Sequence, residues 1–476
     1  MPAILVRIFS PCLCAVVLLA GCAVGPDHQA PAVPELDAGF VGSQTSSPPV
    51  VDSPWWKQLG DPVLDALVDE VLAQNLDLAI ATERVVEARA LRREARSFLF
   101  PSLKGRGDYT DIGISETQSP AVNPIAAFPG ALPSRVESWS TGFDASWEVD
   151  VFGGNRRRTE AARAREESAE EAAHGVRLSL TAEAVDSYYT LAGLRAQLRR
   201  VQENVSRQRE TTGIVAKLQA EGLRSELDLR RATAQLASTQ AAEPGLSSSI
   251  TVQLRRLSLL LGRKPGYLDE RAATFRGFPD RLPMARTGVP AELVMRRPDL
   301  REAERNLAAA TAEIGVATSN FYPRFILFGS PELTSGSSAD LFNINSLAWQ
   351  AGPRIEWSLF SGGANRAVLA AANSRERQAL LGFERAVLSA VGEVESNLAQ
   401  LEAESKRLQY LERAVRESRA SVGLAEKLYR EGIEDLVSVL VEQERLIAGE
   451  LDEVSSRTAL TSAWVSLHKA LGGGWE

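Results

Sequence analysis

The stretch WSTGFDASWEVDV, residues 139–151, alternates apolar and polar side chains, and LAWQAGPRIEWSL, residues 347–359, repeats the pattern. An apolar residue at every second position, with tryptophans spaced along that side, is what a membrane-spanning strand of a β-barrel requires. A half-buried strand of a soluble β-sandwich shows the same alternation. Both stretches therefore predict strands, and the start of the chain bears on whether their sheet lies in a membrane.

The first 22 residues resemble the signal peptide of a bacterial lipoprotein. They carry one cation, Arg7, before an apolar run that is too short to span a bilayer as a permanent helix. The run ends in Leu19-Ala20-Gly21-Cys22, which is similar to the lipobox, whose cysteine becomes the acylated first residue of the mature protein. Ala23 follows instead of aspartate, and the resemblance implies delivery to the outer membrane. The alternative is an ordinary secretory peptide with a cysteine nearby.

Composition and charge argue against several other classes of protein. The 476-residue chain has a formal net charge of −8 and no basic stripe that could neutralise nucleic-acid phosphates. Its histidines, His28, His174 and His468, are scattered and lack cysteines or clustered carboxylates at ligand spacing. No residue pattern suggests an activated nucleophile, so no enzymatic activity is expected. We predict no nucleic-acid partner, no metal and no cofactor apart from a covalent lipid on Cys22.

The landmarks of the sequence occur twice in the same order, which indicates an internal duplication of roughly 200 residues. Phe100-Pro101 and Tyr322-Pro323 each precede an alternating stretch, and a glycine pair ends each stretch. Proline is then absent from residues 155–218 and 364–428. Roughly 65 residues at about 1.5 Å each predict a helix about 95 Å long in each half.

Each long helix is predicted to end in a turn and to be followed by a returning helix. Lys217-Leu218-x-x-Glu221-Gly222-Leu223 recurs as Lys427-Leu428-x-x-Glu431-Gly432-Ile433. The returning helices are predicted over about residues 225–261 and 434–471, so that each half contains one long helical hairpin. Pro244 is expected to kink or interrupt the first of them.

Each half also contains a second strand beside the alternating one. The four predicted strands cover roughly residues 102–114, 138–151, 324–333 and 347–359. Four strands leave unpaired edges, which hydrocarbon does not tolerate, and bacterial barrels have about eight strands or more. The chain is therefore expected to oligomerise. Two copies would give eight strands and three would give twelve, and the strand count alone does not choose between them.

These features together resemble the TolC-like outer-membrane efflux family, specifically its NodT-type lipoprotein branch. The matching motifs extend over nearly the whole mature chain. They are Cys22-x-x-Gly25-Pro26-Asp27, Trp55-Trp56 with Leu59-x-Asp61-Pro62, Gln74-Asn75-Leu76-Asp77-Leu78, Trp147-x-x-Asp150-x-Phe152-Gly153, and Arg296-Arg297-Pro298-Asp299-Leu300 with Ala303-Glu304.

The resemblance implies an α+β membrane protein in which four transmembrane β-strands per chain form a trimeric 12-stranded barrel, continuous with a long periplasmic α-helical barrel. It implies an outer-membrane channel of a tripartite efflux system, a passive gated duct for small molecules. The implied partners are two further copies of the chain, outer-membrane lipid, a periplasmic adaptor (membrane fusion) protein and an inner-membrane RND-type pump. The predicted organisation is a signal peptide (1–21), a lipid-anchored extended arm (22–61), repeat 1 (62–262), a connector (263–289) and repeat 2 (290–476).

The resemblance also indicates where a gate would lie. Asp228 and Tyr429 match family positions whose polar contacts hold the helix ends together and close the periplasmic entrance. The family's acidic constriction falls here on Ser438 and Val441, so this sequence departs from the family at that point.

Other charged residues near the turns could replace the missing acids. Asp435 and Glu442 lie seven residues apart, which would put them on one helical face, and they are candidates for an acidic ring. Arg231 on the first hairpin could neutralise such a ring.

Two other functions are compatible with much of the pattern. One is the outer-membrane duct of a type I protein secretion system, and the other is a non-conducting structural outer-membrane lipoprotein. The alternating tryptophan strands argue against the second. The sequence does not indicate the exported substrate.

Overall fold

The computed structural model describes residues 23–32, 39–40, 54–113, 135–284 and 293–475. The predicted signal peptide, Cys22 and parts of the arm and connector lie outside these ranges. The chain forms two compact units. The strand unit comprises Met1–Ala30, Val86–Glu167 and Arg305–Leu380, and the hairpin unit comprises Pro31–Val85, Ser168–Glu304 and Leu381–Glu476.

Helices account for most of the described residues. The α-helices are α1 (Pro62–Gln74), α2 (Leu76–Ser97), α3 (Gly154–Ala220), α4 (Glu226–Gln240), α5 (Ala242–Leu260), α6 (Leu293–Arg296), α7 (Pro298–Ser319), α8 (Ala364–Arg430) and α9 (Leu436–Ala470). The strands are β1 (Ser102–Gly113), β2 (Arg135–Val149), β3 (Arg324–Ser335) and β4 (Leu347–Glu356). Short 3-10 helices cover Trp55–Leu59, Arg271–Thr274 and Ile344–Ser346.

The four predicted strands are confirmed, and they form one antiparallel sheet in the order β1-β2-β3-β4. Odd-numbered residues pair with odd-numbered ones, for example Tyr109 with Trp139 and Trp147 with Leu327. One face of the sheet therefore collects the apolar side chains, and many of them are exposed in a single chain. The large exposed side chains on this face include Tyr109, Phe143, Trp147, Leu327, Trp349 and Ile355.

The opposite face of the sheet is polar and is crossed by ion pairs. Arg106 on β1 lies 3.6 Å from Asp144 on β2 and 2.5 Å from Glu332 on β3. Asp144 also accepts a 2.6 Å hydrogen bond from the hydroxyl of Ser330. This bond bridges β2 and β3 beside Pro331, which has no N–H to donate to the ladder. These side-chain contacts thus join β1, β2 and β3 where the backbone ladder lacks a donor at Pro331.

The two long helices are confirmed as α3 and α8, each 67 residues long. Gly153 precedes α3 with φ +78°. The carboxylate of Asp150 accepts hydrogen bonds from the backbone N–H groups of Asn155 (3.1 Å) and Arg156 (2.8 Å), which have no partner in the first helical turn. No helix in the described part of the chain combines the length and the apolar character needed to cross a membrane.

The first returning helix is interrupted, as predicted. Helix α4 ends at Gln240 and α5 begins at Ala242, just before Pro244. A proline cannot donate to the carbonyl four residues earlier, and its ring clashes with that carbonyl, which here belongs to Gln240. The second returning helix, α9, contains no proline and runs for 35 residues without a break.

The motif around Trp55 and Asp61 fixes α1 onto α3 in the hairpin unit. Asp61 caps α1, because its Oδ1 accepts a 2.9 Å hydrogen bond from Val63 N. Its Oδ2 accepts a 2.6 Å bond from the hydroxyl of Tyr188 on α3. Burial and, to a smaller extent, the hydrogen bond to Asp61 raise the pKa of Tyr188. The phenol therefore stays protonated and donates its hydrogen bond to Asp61. Trp55 and Tyr188 belong to the same buried cluster.

Candidate gate at the hairpin turns

Both long helices end in the same kind of turn, so the two hairpins have equivalent ends. In turn 1 (residues 221–225), Gly222 has φ +73°, and Leu223 N donates to the carbonyl of Leu218 at 2.8 Å. Gly432 in turn 2 (residues 431–435) has φ +75° and the same hydrogen-bond pattern. This Schellman arrangement needs one left-handed residue, which explains the glycine in each half.

A side-chain cap begins each returning helix. Ser225 Oγ accepts a 3.2 Å hydrogen bond from Asp228 N, and Asp435 Oδ1 accepts a 2.9 Å bond from Ser438 N. Asp228 and Ser438 therefore occupy equivalent positions in the two hairpins. Asp435 itself directly precedes α9 and has an extended backbone. Its carboxylate is used for capping because the first helical N–H groups need an acceptor.

Tyr429 lies in the last turn of α8 and is only 4% exposed. It packs with Val215, Leu436 and Val439 in a cluster that joins both hairpins. Burial raises the pKa of the Tyr429 phenol. The charge of the nearby Arg224 lowers this pKa in part, and the charge of Asp228 raises it further. The hydroxyl oxygen is buried and makes no hydrogen bond of normal geometry to any described residue of the chain.

Arg224 is a residue that the sequence analysis missed. Its guanidinium lies 4.8 Å from the centre of the Tyr429 ring, which is the geometry of a cation–π contact. The contact links turn 1 to the end of α8. Arg224 directly follows Glu-Gly-Leu in turn 1, whereas Glu434 follows Glu-Gly-Ile in turn 2. This difference in charge between the two otherwise similar turns was the signal that could have identified Arg224.

The structure brings some of the predicted charged residues together and separates others. Hydrogen bonds from Ser438 hold the pKa of Asp435 below its usual value, and the charge of Arg231 acts in the same direction. The positive charge of Arg231, on the first hairpin, therefore stabilises the negative charge of Asp435 at turn 2. Glu442 is paired within α9, 2.7 Å from Arg445. Of the two acids predicted to form a ring, Asp435 thus lies at turn 2 and Glu442 is paired with Arg445 inside α9.

Apolar side chains are exposed at the same places in both turns. Leu223 and Leu227 of the first hairpin are 66% and 56% exposed. Ile433 and Val437 at the equivalent positions are 68% and 40% exposed. Contiguous exposed apolar side chains beside polar caps mark a contact surface rather than a solvated helix end.

The chain is similar to known outer-membrane proteins over nearly its whole length. A family described as "Outer membrane efflux protein" matches residues 67–263 and 289–473. Nodulation protein T of Rhizobium leguminosarum bv. trifolii is 29% identical over 464 residues, covering 97% of this chain and 96% of that protein. The solvent efflux pump outer membrane protein SrpC of Pseudomonas putida is 30% identical over 472 residues, 97% of each. The cation efflux system protein CusC of Escherichia coli (strain K12) is 28% identical, covering 98% of this chain and 100% of that protein.

Solved structures show the same fold. The outer-membrane channel OprN superposes with a TM-score of 0.85 at 33% identity, covering 95% of this chain and 100% of that chain. A structure of CusC superposes with a TM-score of 0.81 at 27% identity, covering 95% of this chain and 100% of that chain. The Campylobacter jejuni CmeC channel, at 20% identity and a TM-score of 0.86, shares the fold.

Proposed function

Because the chain belongs to the outer membrane efflux protein family, we propose that it is the outer-membrane channel of a tripartite efflux system, a passive gated duct for small molecules. One observation carries the proposal: the same chain contains a sheet with an exposed apolar face and two long helices that end in matched turns. An exposed apolar sheet face requires lipid or protein around it. An outer membrane supplies the lipid, and the helices then extend into the periplasm.

We propose that three copies of the chain close one 12-stranded barrel. Among the described strands, β1 and β4 each pair on one side only, so two edges of this sheet are left open. Open edges are not stable in hydrocarbon, and joining β4 of one copy to β1 of the next removes them. The exposed apolar face would then contact lipid, and the polar face around Arg106 would line the lumen.

The apolar side chains of the two turns are the proposed contact for a periplasmic adaptor. Leu223 and Leu227 in one hairpin, with Ile433 and Val437 in the other, give a trimer six similar apolar ends. The inner-membrane RND-type pump would then connect through this adaptor. Relatives with similar identity are named for solvent efflux and for cation efflux, so we propose small molecules as cargo and no narrower class.

The oligomer and its conductance test this function directly. The protein is extracted from outer membranes in detergent, its mass is measured by light scattering with detergent correction, and it is inserted into planar bilayers. A trimer that conducts is expected. A monomer without conductance would refute the duct, and a trimer that never conducts would favour the structural lipoprotein. Isolation with a pump of the type I secretion class instead of an RND-type pump would favour a protein secretion duct.

The gate is tested with Asp228→Ala and Tyr429→Phe. The Tyr429 hydroxyl makes no hydrogen bond of normal geometry to any described residue of its own chain, so its removal is expected to change stability little. If polar contacts of Asp228 and Tyr429 hold the helix ends together and keep the entrance closed, both substitutions should raise single-channel conductance several-fold. Asp452→Ala, which removes an exposed acid of α9 away from the turns, is the control. Unchanged conductance in the double variant would remove both residues from the gate.

The lipid anchor is tested with Cys22→Ser. Metabolic labelling with a fatty-acid analogue is expected to mark the wild-type protein and to be lost completely in the variant. Cys14→Ser, which changes another cysteine of the leader, should leave labelling intact. Labelling that persists in Cys22→Ser would mean that the lipobox was misidentified.

A further inference from the structure

Helices α3 and α9 meet in the hairpin unit along a line of polar contacts, which we call the polar seam. The four side-chain pairs of the seam are Asp186 with Ser462 (2.5 Å), Gln197 with Ser455 (2.9 Å), Asn204 with Glu450 (3.0 Å) and Thr211 with Gln443 (3.0 Å). On α3, three successive members are seven residues apart, and a seven-residue interval keeps them on one helical face. The seam joins the first half of the chain to the second.

Glu450 is the charged centre of the polar seam. It is 1% exposed, and its Oε2 accepts hydrogen bonds from Asn204 Nδ2 at 3.0 Å and from an amine nitrogen of Arg207 at 3.3 Å. Its Oε1 accepts a 2.7 Å bond from Arg419 on α8. One carboxylate thus connects α3, α8 and α9. A buried carboxylate is stable only where such partners surround it.

One helical turn from Asn204, α3 carries Arg200 on one side, which is hydrogen-bonded within α3, and the buried amide of Gln208 on the other. On α3, Val201 and Val205 are buried next to Asn204, and on α9, Leu446 and Val454 flank Glu450. A displacement of α9 along α3 by one turn would take the carboxylate away from Asn204 and bring it beside Arg200 or Gln208 and these apolar side chains. In the observed axial alignment the carboxylate has partners on both α3 and α8 at once, and such partners are what stabilise a buried charge.

Gln208 provides an internal comparison for Asn204. Both are amides on α3, separated by one helical turn, and both are buried, at 2% and 1% exposure. Asn204 donates to Glu450, whereas neither side-chain polar atom of Gln208 has a hydrogen-bond partner among the described residues. Burial and residue type are thus nearly matched, and only the contact with the carboxylate differs.

We propose that Glu450 is a positioning residue that sets the axial register of the second hairpin (α8 and α9) against α3. Polar groups buried between helices are the best-attested means of fixing such a register. The proposal goes beyond the duct function, because it concerns how one chain aligns its own two halves. It holds whether or not the assembled protein conducts.

Site-directed cross-linking of the full chain reads the register. No cysteine follows residue 22, so introduced pairs report without background. Gln197→Cys with Ser455→Cys reports the observed register, and Gln197→Cys with Ala459→Cys reports a displacement of one turn along α9. A short bis-maleimide is applied to each pair, and intrachain products are identified by peptide mapping. With Glu450 present, the first pair is expected to dominate.

Glu450→Leu is expected to reduce the ratio of the first product to the second by about tenfold or more, since the partners that select one register are lost. Asn204→Leu should shift the ratio in the same direction, and the matched Gln208→Leu should not. Glu450→Gln keeps the side-chain size and loses the charge pairing with Arg207 and Arg419, so it tests the proposal even if Glu450→Leu does not fold. An unchanged ratio in the Glu450 variants, or an equal shift in Gln208→Leu, would overturn the proposal.

Discussion

Gly25→Val is expected to release residues 23–30 from the rest of the strand unit and to lower the stability of that unit by about 3 kcal/mol or more. Gly25 has φ +92°, a backbone region that valine avoids. A Cβ atom at this position would lie 2.4 Å from the Cα of Gly315 on α7 and 2.9 Å from its nitrogen. These are backbone atoms of a helix and cannot move aside as a flexible side chain would.

The arm that Gly25→Val would detach is held by a set of polar contacts. Val24 N donates to the carbonyl of Phe152 at 3.0 Å. Arg157, whose side chain is almost fully buried, donates to the carbonyls of Val24 and Gly25, both at 3.2 Å, and to the carboxylate of Asp27 at 2.6 Å. These bonds depend on the close approach of Gly25 to α7, so we expect them to be lost together.

Hydrogen exchange of the Val24 amide and limited proteolysis of the arm measure the release. In the wild-type protein the amide should be protected and the arm should resist cleavage, and both properties should be lost in Gly25→Val. Gly39→Val is the control, because a Cβ at Gly39 meets no atom of the described residues within 4 Å. Retained protection of Val24 in Gly25→Val would show that the contact with Gly315 does not hold the arm.

The sequence was sufficient to predict the strands and long helices because their signals are local. Alternation at every second residue identified β2 and β4, and the absence of proline over long stretches identified α3 and α8. Pro244 acts on the carbonyl of the preceding turn, so its effect could be placed to within a few residues.

Contacts between distant parts of the chain could not be predicted in this way. The Gly25-Pro26-Asp27 motif was recognised by resemblance, but its physical reason is the approach to Gly315. Glu450 is one acid among many in the sequence, and only the fold gives it partners on two other helices. Asp435 was interpreted from its spacing to Glu442, whereas its actual conformation follows from the need to cap α9.

The same limit applies to His468, which looks unremarkable in the sequence and is enclosed by aromatic rings in the structure. The centre of its ring lies 3.9 Å from that of Trp464 and 5.2 Å from that of Trp55. Its Nδ1 lies 2.9 Å from the carbonyl oxygen of Trp464 and can donate a hydrogen bond to it in the neutral state. Burial lowers the pKa of His468 to about 4, and the bond to Trp464 opposes this shift only in part.

We therefore expect acidification to destabilise the hairpin unit through His468. The unfolded chain accepts a proton on this residue near pH 6.5, whereas the folded chain resists it down to about pH 4. The unfolded state binds more protons in this window, so the stabilising contribution is complete above pH 6.5 and decreases as the pH falls towards 4. A pKa difference of this size corresponds to about 3 kcal/mol, and to slightly less here because part of the side chain reaches the surface.

Urea unfolding at pH 7 and at pH 4.5 tests this contribution with His468→Phe. Phenylalanine keeps an aromatic ring between Trp55 and Trp464 and cannot take up a proton. The carboxylates also titrate in this window and contribute to both proteins. For each protein we therefore take the loss of unfolding free energy from pH 7 to pH 4.5, and we subtract the loss in the variant from the loss in wild type. We expect wild type to lose about 2 kcal/mol more. His174→Phe, which keeps a ring stacked on Trp475, controls for the removal of one histidine. Equal losses in wild type and His468→Phe would mean that the enclosed imidazole accepts its proton as readily in the folded chain as in the unfolded one.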